Sequence, residues 1–279
     1  MFAFNKSHGL GNDFVIIDDR NDAIDDYVSL SRKLCYRNTG IGADTMLIIK
    51  NSDICDLKML VYNADGSSAG MCGNGIRCFA RYAYEHGLVS SPDITVETLS
   101  GIIRPHINFT NGVISSVTID MGIPRLEREY IPMLGCGTFI DQHIKVANYD
   151  FLVTSLQMTV PHSVVFVDNV RTFDVKRYGQ SLEMHPFYPE GTNVDFVEVI
   201  DRNTIIVRPW ERGCGTTLAC GTGACASTVA GFITGRTKRS CEVKLELGSL
   251  YIEYSTSGNV IMTGPAISVF NGELDIDPI

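Results

Sequence analysis

The sequence predicts an α+β protein of two pseudo-symmetric domains, each a β-barrel-like sheet around a central helix. Two observations predict this fold. The chain carries two glycine-rich cysteine segments, and similar segments surround both of them in the same order. Each copy places one glycine-started helix among many strand-like runs with Gly, Asn and Asp turns. This balance favours a sheet curled around the helix over a parallel doubly wound sheet.

The cysteine segments are the clearest repeat. CGNGIRCFARYAYEHG begins at Cys72, and CGTGACASTVAGFITG begins at Cys220. Both read Cys-Gly-x-Gly and continue with small and apolar residues until a glycine fifteen positions after the cysteine. Gly87 and Gly235 are therefore expected to end the two helices as C-caps. Both helices are apolar on most faces, as a buried central helix should be.

The neighbouring segments repeat as well. Strand-like runs precede each cysteine, and a strand and a hairpin follow each helix. The matched pairs are, in chain order, FVIID and VVFVD, GIGAD and GTNVD, MLVYNADG and IIVRPWERG, ITVETL and VKLELG, and DMGIP and MTGPA. We therefore expect an N-terminal half of residues 1–120, to which residues 265–279 return, and a C-terminal half of residues 121–264.

Composition narrows the possible functions. Hydrophobic residues make up 44% of the 279-residue chain and charged residues 20%, as in soluble globular proteins. The net charge of -9 disfavours a nucleic-acid partner, because phosphate binding relies on clustered Lys and Arg. The opening residues show no signal-peptide pattern, and no apolar run approaches the ~18 residues that cross a bilayer. We expect a cytoplasmic protein with no membrane partner.

The nine cysteines do not form a known framework. They are spread irregularly, contain no CxxC pair and do not match a zinc site, so we expect no metal. Cys78, Cys214 and Cys225 have no counterpart in the other half and are interpreted as structural. Some of these thiols should simply be small buried apolar groups.

A cysteine at a helix N-terminus is suited to acid/base chemistry. Unpaired backbone N–H groups and the positive end of the helix dipole stabilise a thiolate, which predicts a lowered cysteine pKa. The same N–H groups can hold a carboxylate, and the glycines let a ligand approach the backbone. With the two halves face to face, one thiolate could remove a Cα proton while the opposite thiol donates one. The backbone N–H groups would also stabilise the carbanion formed between these steps.

Other chemistries explain the pattern less well. A nucleophilic Cys–His enzyme could use His8 or His162, but that mechanism would not explain the second matched cysteine. Pyridoxal phosphate use is disfavoured, because the only lysine near the motifs is Lys6, which precedes the first one. We therefore expect no cofactor.

Several motifs resemble those of a known family. KSHGLGNDF, NADGSSAGMCGNGIRC and WERGCGTTLACGTGACA closely resemble diaminopimelate epimerases, and YPEGTNVDFV and GPAISVFNGE also fit. The resemblance covers essentially the whole chain. It implies the two-domain epimerase fold, a homodimer, and interconversion of LL- and meso-diaminopimelate without cofactor or metal. That reaction feeds lysine and peptidoglycan synthesis.

The resemblance also implies roles for individual residues. Cys72 and Cys220 match the catalytic acid/base pair, and Glu211 and His162 match the groups that support the thiols. Glu211 is also expected near the substrate, and Arg212 is suited to pair with its distal carboxylate. The expected substrate-binding residues are Asn12, Thr45, Asn63, Gly73, Asn74, Asn193, Glu211, Arg212, Gly221 and Thr222.

Three positions depart from the family pattern. Val160 stands where the family usually has Asn, which contacts the distal end of diaminopimelate, and Val cannot make that hydrogen bond. Thr45 replaces a position that can be Gln, and Phe270 replaces a Tyr that is usual at the dimer contact. The first alternative function is therefore a racemase of another L-amino acid, such as histidine. The remote alternative is a non-catalytic amino-acid-binding protein.

Overall fold

A computed structural model of the chain describes residues 2–274. These residues form two compact units. The first unit contains residues 2–119 and 264–274, and the second contains residues 120–263. The predicted return of the C-terminal residues to the first half extends to residues 275–279, which lie outside the described residues.

The described chain is rich in strands. The helices are α1 (Tyr27–Cys35), α2 (Gly73–Glu85), α3 (Val175–Glu183) and α4 (Gly221–Ile233). The strands are β1 (Phe2–Gly9), β2 (Asn12–Asp18), β3 (Thr45–Lys50), β4 (Leu57–Asn63), β5 (Ser68–Ala69), β6 (Val96–Thr98), β7 (Gly101–Ile103), β8 (His106–Thr110), β9 (Val113–Asp120), β10 (Phe139–Val146), β11 (Tyr149–Met158), β12 (Val160–Phe166), β13 (Asn193–Asp201), β14 (Thr204–Glu211), β15 (Gly215–Thr216), β16 (Ser240–Leu245), β17 (Gly248–Tyr254), β18 (Val260–Gly264) and β19 (Ile267–Leu274).

The two units repeat one pattern of strand pairing. In the first unit, β1 is antiparallel to β2, β2 parallel to β3, and β3 antiparallel to β4. Strand β4 then pairs with β5 and, in parallel, with β6, which is antiparallel to β7. In the second unit, β11 to β17 form the same series of antiparallel and parallel pairs. The sequence repeat is therefore a repeat of sheet topology.

The register of the repeat is also regular around the cysteines. In the first unit Phe14 is paired with Thr45, and in the second His162 is paired with Asn193. Both members of the second pair lie 148 positions after their counterparts in the first. The cysteines and the first residues of α2 and α4 are related by the same separation. Positions separated by 148 residues are called matched positions below.

The strand pairing corrects two predicted segment matches: FVIID and VVFVD are displaced by two positions, and a second pair is displaced further. The sequence comparison aligned GIGAD (residues 40–44) with GTNVD (residues 191–195) through their Gly and Asp residues. The parallel ladders instead match Thr45 with Asn193, so that prediction is wrong by three positions. As a result, Asp195 does not match an aspartate, because its counterpart is the buried Leu47.

The two cysteine-started helices are the centres of their units. Helix α2 packs on β1, β2, β8 and β19, and α4 packs on six strands, β11 to β14, β16 and β17. Both helices have 13 residues and end before a glycine in the left-handed region, Gly87 at φ 68° and Gly235 at φ 74°. The residue after each glycine donates its N–H back to the last turn, in the manner of a Schellman motif.

Each unit also contains a second, shorter helix that the sequence analysis did not predict. Helices α1 and α3 have nine residues each, and each begins at an aspartate. Asp26 accepts hydrogen bonds from the N–H groups of Val28 and Ser29, and Asp174 accepts one from Arg177. An acidic N-cap was therefore the available sequence signal.

None of the helices within residues 2–274 combines the length and the hydrophobicity that crossing a bilayer requires.

Candidate active site

In the first unit, Cys72 is the N-cap of α2. Its backbone is extended, and its Sγ accepts the N–H of Gly75 at 3.4 Å. The side chain is half-buried. Gly73 and Gly75 carry no side chains, so the first turn of α2 is open to a ligand. The first N–H groups of any helix have no intrahelical partner. The first unit therefore presents a thiol beside backbone donors.

The Cys72 thiol lies beside a pair of hydrogen-bonded asparagines. The Sγ of Cys72 lies 3.8 Å from Oδ1 of Asn12, and Nδ2 of Asn74 donates to the same oxygen at 3.2 Å. The other end of the Asn12 amide donates from Nδ2 to Oδ2 of Asp44 at 2.9 Å. Because Asp44 can only accept while it is ionised, it fixes the amide with Oδ1 towards the thiol.

A salt-bridge network holds Asp44, the partner of Asn12, in place. Arg37 donates to both Asp13 and Asp44, and Lys6 donates to Asp13 and to the carbonyl of Gly42. Partial burial would raise the pKa of Asp13, but the hydrogen bonds from Arg37 and Lys6 outweigh it and lower that pKa to about 2. Asp13 therefore stays ionised at neutral pH.

Thr45 and Asn63 lie opposite each other on β3 and β4. The Thr45 hydroxyl is 3.5 Å from Oδ1 of Asn63, and Nδ2 of Asn63 donates to Ser67 at 3.0 Å. Thr45 is the first residue of β3 and directly follows Asp44 in the chain. The Thr45–Asn63 pair is therefore adjacent to the network that holds Asn12.

In the second unit, Cys220 is the N-cap of α4. Its backbone is again extended, and its Sγ accepts the N–H of Gly223 at 3.4 Å. The thiol lies 3.4 Å from the hydroxyl of Thr222 and also hydrogen-bonds to the carboxyl of Glu211. Glu211 additionally accepts from the hydroxyl of Thr217. Unlike Cys72, Cys220 is buried.

The surroundings of Cys220 change its acidity in the direction opposite to the sequence prediction. Burial raises the pKa of Cys220 well above its ordinary value, and the nearby carboxyls of Glu211 and Asp195 raise it further. The N–H of Gly223 and the hydroxyl of Thr222 lower this pKa by less. Burial likewise raises the pKa of Glu211. The prediction of a lowered pKa is therefore wrong for Cys220, whose resting form is the thiol.

His162 forms a buried pair with Asp195. Nδ1 of His162 and Oδ2 of Asp195 are 2.8 Å apart, and both side chains are 0% exposed. Both groups influence Glu211, whose pKa is raised by Asp195 and lowered by His162. The structure therefore connects His162 electrostatically to the group that hydrogen-bonds Cys220.

Asn193 and Arg212 are joined through the backbone. Oδ1 of Asn193 accepts the N–H of Arg212 at 2.8 Å, and the exposed Arg212 guanidinium donates to the carbonyl of Glu190 at 2.8 Å. Glu183 holds the same segment from both sides, because it accepts from the indole of Trp210 at 2.7 Å and from the N–H of Gly213 at 2.9 Å.

The sequence-derived residues thus fall into two half-sites, each within one unit. The first half-site contains Cys72, Gly73, Asn74, Asn12, Thr45 and Asn63. The second contains Cys220, Gly221, Thr222, Glu211, His162, Asn193 and Arg212. The sequence analysis did not select Asp44, Asp195 or Glu183, which hold residues of these half-sites in place. Asp44 and Asp195 end the repeated segments GIGAD and GTNVD, which was their only sequence signal, and Glu183 lies in none of the motifs. Within residues 2–274, no three His, Cys, Asp or Glu side chains are grouped so that they could hold a metal ion.

Comparison with known proteins identifies the family. The family profile described as Diaminopimelate epimerase matches residues 4–127 and 154–269. A diaminopimelate epimerase from Moorella thermoacetica is 47% identical over 277 residues, covering 98% of this chain and 99% of the relative. Another from Caldanaerobacter subterraneus subsp. tengcongensis is 46% identical over 274 residues, covering 98% of this chain and 99% of the relative.

Solved structures support the fold. The crystal structure of a phenazine biosynthesis protein of the PhzF family from Bacillus anthracis matches with a TM-score of 0.73. The match covers 99% of each chain at 14% sequence identity, so the likeness concerns the fold alone. It confirms the predicted α+β fold of two sheet-rich domains. With the profile match and the relatives, it follows that this chain belongs to the diaminopimelate epimerase family.

Proposed function

We propose that this protein is an isomerase that converts LL-2,6-diaminopimelate to meso-diaminopimelate in lysine biosynthesis. The reaction inverts one Cα centre and uses Cys72 and Cys220 as its acid/base pair, without cofactor or metal. One observation carries the proposal: the two thiols occupy matched positions and cap helices of the same length with the same hydrogen bond. Two cysteines with unrelated structural roles would have no reason to share this cap geometry.

The mechanism requires one thiolate and one thiol on opposite faces of the substrate Cα. The thiolate removes the Cα proton, and the thiol of the other cysteine donates a proton to the resulting carbanion. Because burial raises the pKa of Cys220, this residue begins as the protonated partner in the substrate-free protein. After one turnover the protonation states are exchanged, which allows the reverse reaction.

The rest of each half-site is suited to an amino acid with two carboxylates, one at the reacting centre and one at the distal end. We propose that the backbone N–H groups of Gly73, Asn74, Gly221 and Thr222 receive the carboxylate at the reacting centre and stabilise charge that develops on it. Arg212 would then pair with the distal carboxylate by a bidentate contact. Its present partner, a backbone carbonyl, is neutral and can be exchanged for a stronger anionic one.

Asn12, Thr45, Asn63 and Asn193 complete the proposed substrate contacts. Their amides and hydroxyl can serve both the ammonium and the carboxylate groups of the substrate. Asn12 and Asn63 are half-buried, whereas Thr45 and Asn193 are nearly inaccessible. The first two are therefore the more direct contacts.

A racemase of another L-amino acid is the second candidate, and Val160 favours it. Val160 begins β12, is half-buried and is paired with Met158. It matches Asn12 of the first unit, so the amide present in one unit is absent from the other. Loss of this amide would matter less for a substrate without a polar distal end, or for one that carries a ring, such as histidine.

The test is an isomerisation assay in D₂O on reduced protein, with LL-diaminopimelate and L-histidine in parallel. We expect deuterium to enter Cα of diaminopimelate as the meso form accumulates, and no change in histidine. The Cys72→Ala/Cys220→Ala double variant is the negative control. Inversion of histidine alone would replace the proposed substrate, and Val160→Asn would then be expected to reduce that activity. Absence of deuterium in both substrates would favour a binding protein.

Three organisational features belong to the same proposal. The functional halves are residues 1–120 with 265–279, and residues 121–264. The protein is a cytoplasmic homodimer, for which the apolar edge strand β19 is the proposed contact, because Ile267, Val269 and Phe270 are exposed there. Light scattering of the wild type and of Phe270→Glu tests the dimer, and the variant should shift towards monomer.

A further inference from the structure

The His162–Asp195 pair is unusual because both side chains are completely buried. One oxygen of Asp195 bonds Nδ1 of His162, and the other, Oδ1, has no hydrogen-bond partner among the described residues. Nε2 of His162 likewise has no partner within the described part of the chain. A fully buried carboxylate and an unpartnered ring nitrogen both cost stability, so they call for a functional reason.

The other unit shows that the fold does not need this pair. The positions that match His162 and Asp195 are Phe14 and Leu47, and both are 0% exposed. Leu47 packs against Gly75 of α2 in the way that Asp195 packs against Gly223 of α4. Because apolar residues of similar size fill the same sites on the same backbone, packing does not explain the polar pair.

The direction of the hydrogen bond fixes the histidine ring. An ionised carboxylate only accepts hydrogen bonds, so the nitrogen 2.8 Å from Asp195 must carry a proton. In that tautomer the second nitrogen, Nε2, carries the lone pair and is the acceptor of the ring. The same unit contains the two groups that need such support, the Cys220 thiol and the Glu211 carboxyl that hydrogen-bonds it.

We propose that Asp195 is a positioning residue that holds His162 with its proton on Nδ1 and leaves Nε2 to serve the cysteine chemistry. This inference rests on the proposed function, in which His162 supports a catalytic thiol. Asp195 takes no proton and touches no substrate. Its negative charge also acts on Glu211 and on Cys220, raising the pKa of both.

Two variants separate this role from packing. Asp195→Asn keeps the size of the side chain, removes its charge and removes the preference for a protonated Nδ1. The double variant His162→Phe/Asp195→Leu installs the pair that the first unit uses. Asp150→Asn is the matched control, because Asp150 bonds Nδ1 of His143 at 3.0 Å in the same unit but on the surface.

Four quantities are measured for each protein: the melting temperature, the ¹⁵N shifts of the His162 ring, the pH profile of epimerisation, and the pH dependence of Cys220 alkylation by iodoacetamide. The His162 resonances are assigned by their loss in His162→Gln. Alkylation is followed by mass spectrometry of the peptide that contains Cys220. The chain contains six histidines, which keeps the spectrum simple.

For Asp195→Asn we expect wild-type melting, a loss of the Nδ1-protonated signature, and a kcat lower by roughly 100-fold with little change in KM. Cys220 alkylation should move to lower pH, because one of the charges that disfavours its thiolate is gone. The double variant should melt at or above the wild-type temperature and be similarly inactive. Asp150→Asn should match the wild type in all four measurements.

Other results would overturn the proposal. One is an Asp195→Asn protein that keeps the wild-type ¹⁵N signature and pH profile, and another is a double variant that retains full activity. If Asp195→Asn failed to fold, the ¹⁵N spectrum of the wild type would decide, because an unprotonated Nδ1 contradicts the inference. Failure of the proposed function has a different result: no turnover of diaminopimelate by the wild type, with the ¹⁵N signature unaffected.

Discussion

Helices α2 and α4 begin in the same way but in different chemical surroundings. Cys72 and Cys220 have nearly the same backbone angles and accept the same hydrogen bond. Cys72 is half-buried and lies beside the amide of Asn12, which accepts from Asn74, whereas Cys220 is buried and lies beside the carboxyl of Glu211. The duplicated backbone therefore supplies the cap in both units, and burial and nearby carboxyls raise the pKa of the Cys220 thiol.

The difference extends to the matched positions. Asn63, Phe14 and Leu47 of the first unit correspond to Glu211, His162 and Asp195 of the second. At these three positions, side chains that titrate are therefore present in the second unit and absent from the first. A reaction that needs a thiolate on one side and a thiol on the other has a physical use for such a difference.

The largest expected effect comes from removing either thiol. Cys72→Ala and Cys220→Ala should each reduce kcat by roughly 10³-fold or more, because inversion requires both the acid and the base. The loss should be similar for the two variants, despite their different surroundings. Steady-state assays with LL-diaminopimelate measure it, and circular dichroism checks the fold. An active single variant would show that the two half-sites are not equivalent in role.

A smaller and unequal effect is expected from the matched pair Glu211 and Asn63. Glu211→Gln should lower kcat by roughly 100-fold, because it removes the carboxyl that hydrogen-bonds the Cys220 thiol. Asn63→Ala should lower it by roughly tenfold, because Asn63 bonds Thr45 and Ser67 rather than the thiol. Equal losses would contradict the view that the thiol in the second unit is tuned by its neighbours.

Alkylation of the reduced protein compares the thiols directly. At pH 7.5 iodoacetamide should modify Cys72 faster than Cys220, by roughly tenfold or more, because burial and nearby carboxyls hold the pKa of Cys220 high. Removing the negative charge of Glu211 lowers that pKa, so Glu211→Gln should narrow the difference. Peptide mass spectrometry over time gives both rates from one sample. Faster modification of Cys220 than of Cys72 would contradict the raised pKa of Cys220.

The smallest expected effect concerns the matched glycines of the two helices. A Cβ at position 223 would lie 2.2 Å from Oδ1 of Asp195, whereas one at position 75 would lie 3.2 Å from its nearest neighbour. Gly223→Ala should therefore cost about 2–3 kcal/mol, and Gly75→Ala less than about 1 kcal/mol after the gain in helix propensity. Thermal unfolding of the two variants measures the difference, and equal melting temperatures would contradict it.

Sequence reasoning could find the repeat because Gly and Cys mark backbone positions. The Cys-Gly-x-Gly starts and the glycines after α2 and α4 are required by the caps, so their spacing is visible in the sequence. The register of the β3 and β13 strands was missed because the match used turn residues, whereas the pairing between strands sets the register. That error placed Asp195 opposite Asp44 and hid its exchange for a leucine.

The remaining errors concern features that a local motif does not contain, and the first of these is burial. A helix N-terminus favours a thiolate, but around Cys220 the loss of water and two carboxyls outweigh it. The short helices α1 and α3 were missed because they lack the glycines that mark the starts and ends of α2 and α4. Their only sequence signal is an aspartate at the N-cap. Asp44 and Glu183 act through contacts with distant segments, which no single motif contains.

The bond between Trp210 and Glu183 has an optical consequence. Trp210 is the only tryptophan in the chain, and its indole donates to the carboxyl that also holds the N–H of Gly213. Indole emission depends on hydrogen bonding and on nearby charge, so a ligand that engages Arg212 acts next to a single fluorophore. Excitation of that ring gives a label-free titration signal from the second unit alone, and stopped-flow recording of it separates ligand binding from turnover.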